Sequence, residues 1–436
     1  MKEGADEFEA AKLRPMHYFT IAACAFGFSF DMAEFAIGAI MSTIFAAPPY
    51  SVEPGKLSWL LSSVFIGAIF GAAFSGWLAD RYGRRRVLLL ILGVIVITSG
   101  LAAVSPNIEA LIVIRLLSGL ALGAYPPLMT TYLADVLPAH ARGPAMMTTV
   151  AVAALGPFAM TFAISWLAPL QPLGIEAWRW AFIIGVVVGI PCLSMFVKLV
   201  ESPRWLAANG RMDEARAALR VLDPAAVDAP QDTSTVQSVS VPPAQGQDLM
   251  VRRLVFLVLL FFFTPWSTLG FPLLLGVVLV EKGFTVEKSL LFVGLSNLGP
   301  VLGALAVGFG VDKVERKTVL VLCALLLMAL GLLFGMQNNA GVLVSAGIAF
   351  NLLSAIFVPV LVLYAAEIVP TAQRARATSW AWAARGIGAS LAPLLLVPLL
   401  KTWGSLTMFS VISATLVGFI LLLLLGPRGA AGQAIR

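Results

Sequence analysis

Four ionisable side chains interrupt long apolar stretches of this 436-residue chain: Asp31, Glu34, Arg115 and Arg385. A charge at mid-membrane costs from about 2.5 kcal/mol on insertion scales to more than 10 in simulations, so each needs a partner and commonly serves a function. Asp31 and Glu34 lie three residues apart and share a helical face. Two carboxylates on one face in a low-dielectric cavity cannot both ionise cheaply, which suits one of them to accept a proton. Arg115 keeps its proton and can hold one carboxylate charged, so protonation of that acid would release the pair. Arg385 sits in the run Trp380-Ala-Trp382-Ala-Ala-Arg385-Gly386-Ile-Gly388-Ala-Ser390. A guanidinium beside aromatic faces suits an organic anion, with two-point contact to a carboxylate and stacking on a ring. Trp266, Trp382, Asn297 and Asn351 are the further candidates for contact with a bound molecule. Each charge also has a structural alternative: Arg115 or Arg385 in a stabilising ion pair, Glu34 snorkelling or facing a neighbouring helix.

The elements that must position these groups follow from composition. Hydrophobic residues make up 59% of the chain and charged residues 12%, with a mean hydropathy of +0.93, too little polar sequence to cover a soluble globule of this size. Apolar runs of the length that crosses a hydrocarbon core, about 20 residues, recur. Twelve are expected, near 17–45, 57–79, 87–105, 109–134, 144–168, 179–199, 252–280, 287–310, 318–336, 341–366, 375–400 and 404–426. Twenty-two of the 29 Lys and Arg residues fall on the side of the termini if the N-terminus is cytoplasmic. The opposite loops hold five: Lys56, Arg179, Lys282, Lys288 and Lys401. That bias places both termini in the cytoplasm of a cell that carries the chain in its cytoplasmic (inner) membrane.

Three units follow: a bundle over 1–200, a helix and flexible linker over 201–250, and a second bundle over 251–436. Residues 203–222 alternate apolar and charged positions as one short amphipathic helix, and 224–248 have the Pro, Ser, Ala and Gln content of a tether. The first sixteen residues lack an apolar core before a small-residue cleavage site, so the first span is expected to remain as the anchor.

The two halves also repeat each other. Gly76, Asp80, Arg81, Arg84, Arg85, Tyr132, Asp135, Pro138 and Arg142 recur 232 positions later as Gly308, Asp312, Lys313, Arg316, Lys317, Tyr364, Glu367, Pro370 and Arg374. Such duplication is how many secondary transporters are built. Asp80, Arg81, Arg84, Asp135, Glu201, Asp312, Arg316, Glu367 and Arg374 read as a gating latch between the bundles, bridged in one conformation only. At the same offset Asp31 meets Phe263, Glu34 meets Trp266, Arg115 meets Gly347 and Arg385 meets Ala153. The latch is duplicated and the buried charges are not, so the latter are the better candidates for substrate and ion coupling.

The run from Gly76 to Arg86 resembles the signature loop between the second and third helices of the major facilitator superfamily. Glu201-Ser202-Pro203-Arg204-Trp205-Leu206 and Trp178-Arg179-Trp180 resemble the end and start of the sixth-helix region in its sugar-porter and organic-ion branches. Arg115, Ser118, Gly119 and Gly123 match the fourth-helix motif, in which the arginine is associated with proton coupling, Ser118 standing for the usual glutamine. The Arg385 segment is similar to the eleventh helix of organic-anion and aromatic-acid branches. Asp31 resembles the last acid of the first-helix motif of the aromatic-acid:proton symporters, whose first acid is here Phe28. The resemblance implies an all-α membrane protein of twelve transmembrane helices, in two pseudo-symmetric six-helix bundles that alternately open a central cavity to either side.

Together these readings predict a proton-coupled importer of a small organic anion. The alternatives are an exporter of drugs or metabolites, for which Gly156-Pro157 is the pointer, and a sugar porter. A hexose needs several amides for its hydroxyls, and neither the fifth nor the seventh span carries a glutamine. A receptor that signals without transport should carry a larger effector segment. No nucleophile–base arrangement, metal cluster or phosphate-cradling loop marks an enzyme, and His17 and His140 sit at membrane edges. The expected partners are a small molecule, protons and the lipid bilayer, with no nucleic acid, metal or cofactor, and the chain is expected to act as a monomer.

Overall fold

The computed structural model describes residues 13–223, 247–310, 315–369 and 371–427, and of 247–250, 305–310 and 371–376 the backbone only. Ten helices among them are long and apolar enough to cross a membrane. In the first half these are Pro15–Ala46, Pro54–Tyr82, Arg84–Ala103, Ile108–Val136, the pair Ala139–Ala153 and Leu155–Leu170, and Ala177–Val197. The second half runs through Gln247–Thr268 with Gly270–Glu281, Val286–Ser296 with Leu298–Gly310, Arg316–Met336, Ala340–Ile368 and Thr371–Leu425. The last helix contains the non-helical Gly404 (φ 80°, ψ 174°), which divides it into the eleventh and twelfth passes. With Val286–Gly310 as the eighth, the chain crosses twelve times, and the members of each half are numbered as spans one to twelve below.

Local chemistry sets the ends. Pro15 and Pro54 open their helices, where the missing N–H is no loss, and Asn107 caps the fourth span by accepting from Ala110 N at 2.8 Å. Three spans break where proline withdraws a donor. Pro157 frees the carbonyl of Ala153, beside the break at Ala154, Pro272 that of Thr268, beside the break at Leu269, and Pro300 that of Ser296, beside the break at Asn297. Asn351 Nδ2 donates to the freed Ser296 carbonyl at 3.1 Å, supplying inside the bundle what water would supply outside.

Lipid is as apolar as leucine, so helix pairing rests on close fit. Gly67 and Gly71 of span two interlock with Gly119 and Gly123 of span four. A Cβ on these four would fall 2.2, 1.9, 2.3 and 2.2 Å from the carbonyl oxygens of Leu116, Leu120, Val64 and Ala68. The second half repeats one side of this zip at the 232-residue offset. Gly299 and Gly303 of span eight press on the Ile348 and Leu352 carbonyls of span ten, where Asn351 and Ala355 occupy the positions of Gly119 and Gly123.

Between the halves, residues 203–222 form two helices, Pro203–Ala208 and Met212–Leu222, where one was expected. Asn209 and Gly210 (φ 74°) end the first after six residues. The expected tether lies outside the described residues over 224–246, and so does Asp312; of Arg374 only the backbone is described.

Candidate functional site

The buried charges fall at two places. Inside the first bundle, Asp31 and Glu34 of span one are fully shielded and Arg115 of span four is 1% exposed. Arg115 Nη1 lies 3.8 Å from Glu34 Oε2, and Nη2 donates to the Glu34 carbonyl at 3.1 Å. The guanidinium also stands over the Phe182 ring of span six, 5.7 Å from its centroid. Room for the Glu34 carboxylate comes from Gly185, where a Cβ would stand 2.1 Å from Oε1, with the Ser99 hydroxyl of span three beside it. Asp31 has no cation within ion-pair distance among the described residues, and neither of its oxygens has a hydrogen-bond partner.

The second place is in span eleven. Arg385 is partly exposed, its guanidinium 5.2 Å from the Trp382 ring centroid, and Trp382 stands edge-on to Phe261 of span seven at 6.0 Å. Arg385 Nε is buried without a partner, and no carboxylate pairs with this side chain among the described residues. The next residue, Gly386, abuts Ile69 of span two, where a Cβ would stand 2.5 Å from Ile69 Cγ1. Arg385 therefore sits beside the seam between the bundles.

The other candidates divide. Trp266 is 7% exposed, tilted against Phe262 at 6.3 Å between ring centroids, with an unpaired Nε1. Asn297 points across the seam, its Nδ2 3.4 Å from both Pro157 O and Thr161 Oγ1 of span five. Asn351 spends its N–H on Ser296 and keeps an unpaired, buried Oδ1. Both amides thus bind helices in this state rather than facing open space.

The seam is tight on the face away from the basic loops. Ser42 Oγ donates to the Leu273 carbonyl at 2.7 Å, Thr43 fills the space over Gly276, and Gly294 touches Phe162. A cleft of about 440 Å³ opens at this end between Trp166, Leu170, Glu287 and Lys288, away from the buried charges.

On the opposite face the latch residues make contacts within their own bundles. Arg84 pairs with Asp80 at 3.0 Å and Asp135 at 3.3 Å, and Arg316 pairs with Glu367 at 3.4 Å, a contact duplicated at the same 232-residue offset. Asp135 Oδ2 also accepts from Ser202 Oγ at 2.8 Å. Glu201 accepts from the backbone N–H groups of Arg85 and Arg86 at 2.9 and 3.3 Å, capping the free start of span three. Arg81 lies over Trp77 and Tyr82. Among the described residues each of these ion pairs lies within one bundle; the cross-bundle bridge is expected in one conformation only.

Sequence reasoning missed the surroundings of Glu34, namely Ser99, Phe182 and Gly185. The pair Gly185 and Gly189, one turn apart in span six, was the available signal: the first makes room for Glu34 and the second for Phe30. It also missed the loop cluster in which Glu176 Oε1 accepts from Tyr50 Oη at 2.6 Å and Oε2 from Arg179 Nε at 2.7 Å.

Comparison with known proteins matches residues 18–427 to the family described as sugar (and other) transporter. The niacin transporter NiaP of Acinetobacter baylyi is 28% identical over 87% of this chain and 86% of its own. The galactose-proton symporter of Escherichia coli is 28% identical over 89% and 86%. The fold is that of the xylose transporter XylE from E. coli in a partially occluded inward-open conformation, with a TM-score of 0.77, 19% identity, and coverage of 97% of this chain and all of that one. Twelve membrane passes in two six-span halves, each with its own copy of the latch pair and the glycine contacts, agree with that match, and the chain belongs to the sugar (and other) transporter family of the major facilitator superfamily, whose members are transporters and not enzymes.

Proposed function

We propose that the chain imports a small organic anion, a carboxylate or aromatic acid, together with protons by alternating access. The carrying observation is Arg385: a partly exposed residue in the middle of its span, its guanidinium against an indole ring and its Nε buried, with no carboxylate partner among the described residues. A permanent cation in that setting is costly unless an anion arrives. Trp382 and Phe261 offer the aromatic surface that a ring-bearing acid would use. Two niacin transporters among the relatives, from A. baylyi and, as a putative niacin/nicotinamide transporter, from Bacillus subtilis, point to the same chemistry, since niacin is a pyridine carboxylate. The cluster of Asp31, Glu34 and Arg115 supplies the proton-coupling group, and the galactose-proton symporter of E. coli is a relative that couples to protons by name.

In this reading the basic loops face the cytoplasm, the seam at Ser42–Leu273 seals the outer side, and the latch residues Asp80, Arg81, Arg84, Asp135, Glu201, Asp312, Arg316, Glu367 and Arg374 restrain the inner side in the alternate state. The protein acts as a monomer in the inner membrane.

A sugar is the second reading, favoured by the family match and the galactose relative. Against it, the two amides nominated for hydroxyl recognition are engaged with helices. Uptake by proteoliposomes decides between them: labelled nicotinate, benzoate, galactose and xylose, each with and without an acid-outside gradient. Carboxylate uptake that rises with the gradient is expected. Uptake of the neutral sugars, or carboxylate uptake indifferent to the gradient, would overturn the assignment.

A further inference from the structure

We infer that the cleft between spans five and eight, at the end away from the basic loops, is the seat of one phospholipid with an ethanolamine headgroup, held by both bundles at once. In the orientation proposed above this is a lipid of the outer leaflet; the chemistry of the cleft is the same in either orientation. Ser165, Trp166, Pro169 and Leu170 of span five face Glu287, Lys288 and Leu291 of span eight around about 440 Å³, within the range of about 300–1,000 Å³ usual for ligand sites. The lining is graded in depth. Span five ends at Leu170 and span eight begins at Val286, so Leu170, Glu287 and Lys288 stand at the rim, and Trp166 and Leu291 lie one turn, about 5.4 Å, deeper. Charge at the rim and apolar surface below it is the order of polarity along a lipid. Trp166 and Leu170 are 65% and 68% exposed, turned out of the protein, and Leu173 in the loop beyond stands bare in the left-handed region (φ 58°). A leucine strained in that way and turned outward fits acyl surroundings, as does an indole at the membrane boundary.

The headgroup follows from the two charges. Glu287 and Lys288 are successive residues of one helix, so their side chains diverge by about 100° and do not face each other. Both are exposed, and among the described residues neither is in an ion pair. Lys56, Arg179 and Lys282 at the same end of the protein are by contrast engaged, with Glu109, with Glu176 and with the carbonyls that end span nine. Ser165 Oγ donates to the Phe162 carbonyl at 2.7 Å, which leaves the carboxylate and the ammonium as the selective groups. A ligand that satisfies both carries an anion and a cation side by side. In a phospholipid these are the phosphate, for Lys288, and an ammonium, for Glu287. A primary ammonium brings N–H donors to a carboxylate, a quaternary one brings none, and a glycerol headgroup has no cation. The seat is shared, because the indole belongs to the first bundle and both charges to the second.

The test is native mass spectrometry of the full chain in detergent, titrated with phosphatidylethanolamine, phosphatidylcholine and phosphatidylglycerol of the same acyl chains. It needs neither solute nor proton gradient, so its outcome is independent of the transport reading. One ethanolamine lipid is expected to bind about tenfold or more tighter than either other lipid, the worth of one charged hydrogen-bonded contact. Glu287→Gln should bring the ethanolamine-to-choline ratio to about one. Lys288→Gln should weaken both by about tenfold and keep their ratio. Trp166→Ala, in the other bundle, should weaken all three lipids severalfold. The three side chains are exposed, and thermal unfolding in detergent checks that the variants fold as the wild type does. Equal binding of the three lipids by the wild type, or an ethanolamine preference that survives Glu287→Gln, would overturn the inference. A preference for phosphatidylglycerol would reassign the cleft to anionic lipid and overturn it too. Binding that responds to Lys288→Gln and not to Trp166→Ala would refute the seat shared by both bundles.

Discussion

Gly276 has no room for a side chain in the sealed state. A Cβ added there would stand 1.7 Å from Thr43 Oγ1 and 2.8 Å from Thr43 Cβ, across the seam between spans seven and one. Thr43 cannot turn away freely, because its hydroxyl donates to the Ala39 carbonyl at 2.7 Å and the residue is fully buried. Gly276→Ala therefore overpacks this interface, at a cost of about 1–3 kcal/mol for an inserted methyl group in a well-packed core. The cost applies only while the outer halves touch, so it shifts the balance toward the outward-open state by about 5- to 150-fold. The assay is labelling of Phe162→Cys, a seam position beside Gly294, by a membrane-impermeant maleimide in right-side-out vesicles. The natural Cys24, Cys192 and Cys323 are buried and stay silent. Labelling is expected to rise by that factor, net uptake to fall, and Thr43→Gly to restore both. Unchanged labelling and uptake in Gly276→Ala would refute the claim that this contact seals one face.

Three other outcomes follow from the same packing. Gly71→Ala places a Cβ 1.9 Å from the Leu120 carbonyl, a backbone atom that cannot rotate away, so thermal stability in detergent should drop by about 1–3 kcal/mol, whereas Gly76→Ala, with open space around it, should not change it. Asp135→Asn removes the charge that pairs with Arg84 while leaving one oxygen to accept from Ser202, and transport should fall severalfold while membrane insertion stays normal. Burial alone would raise the Glu176 carboxyl, but hydrogen bonds from Tyr50 and Arg179 outweigh it and hold the group below its ordinary 4.5. A lowered folded value stabilises above the unfolded one and fades as pH falls through it, so Glu176→Gln should lower the melting temperature slightly near neutrality and make no difference well below pH 4.5. The side chain is 40% exposed, which limits the effect to about 1 kcal/mol or less.

Much of the fold was legible because its signals are local. Apolar length marks each crossing, and the 232-residue repeat announces the two halves down to the contact level, where Arg84–Asp135 and Arg316–Glu367 coincide. The broken spans were legible in principle at Pro157, Pro272 and Pro300. What the sequence hides is direction. The three-residue spacing puts Asp31 and Glu34 on one face but cannot say which acid Arg115 holds, since that depends on the gap left by Gly185 of span six. Asn351 reads equally well as a substrate ligand or as the repair of a broken helix, and Asn297 as a ligand or as a contact across the seam; only the placement of Ser296 and Pro157 beside them separates the readings. The charged loops, likewise, advertise their partners by type and not by bundle.

The most direct measurement is equilibrium binding to the purified protein, followed by tryptophan fluorescence, of nicotinate against its neutral amide, in wild type and in Arg385→Gln. A charged hydrogen-bonded contact is worth about 1.5–3 kcal/mol, so the wild type should prefer the carboxylate by about 10- to 150-fold, and Arg385→Gln should bind the two alike. Equal affinities in the wild type, or a preference that survives Arg385→Gln, would contradict the assignment of this guanidinium as the anion-binding group.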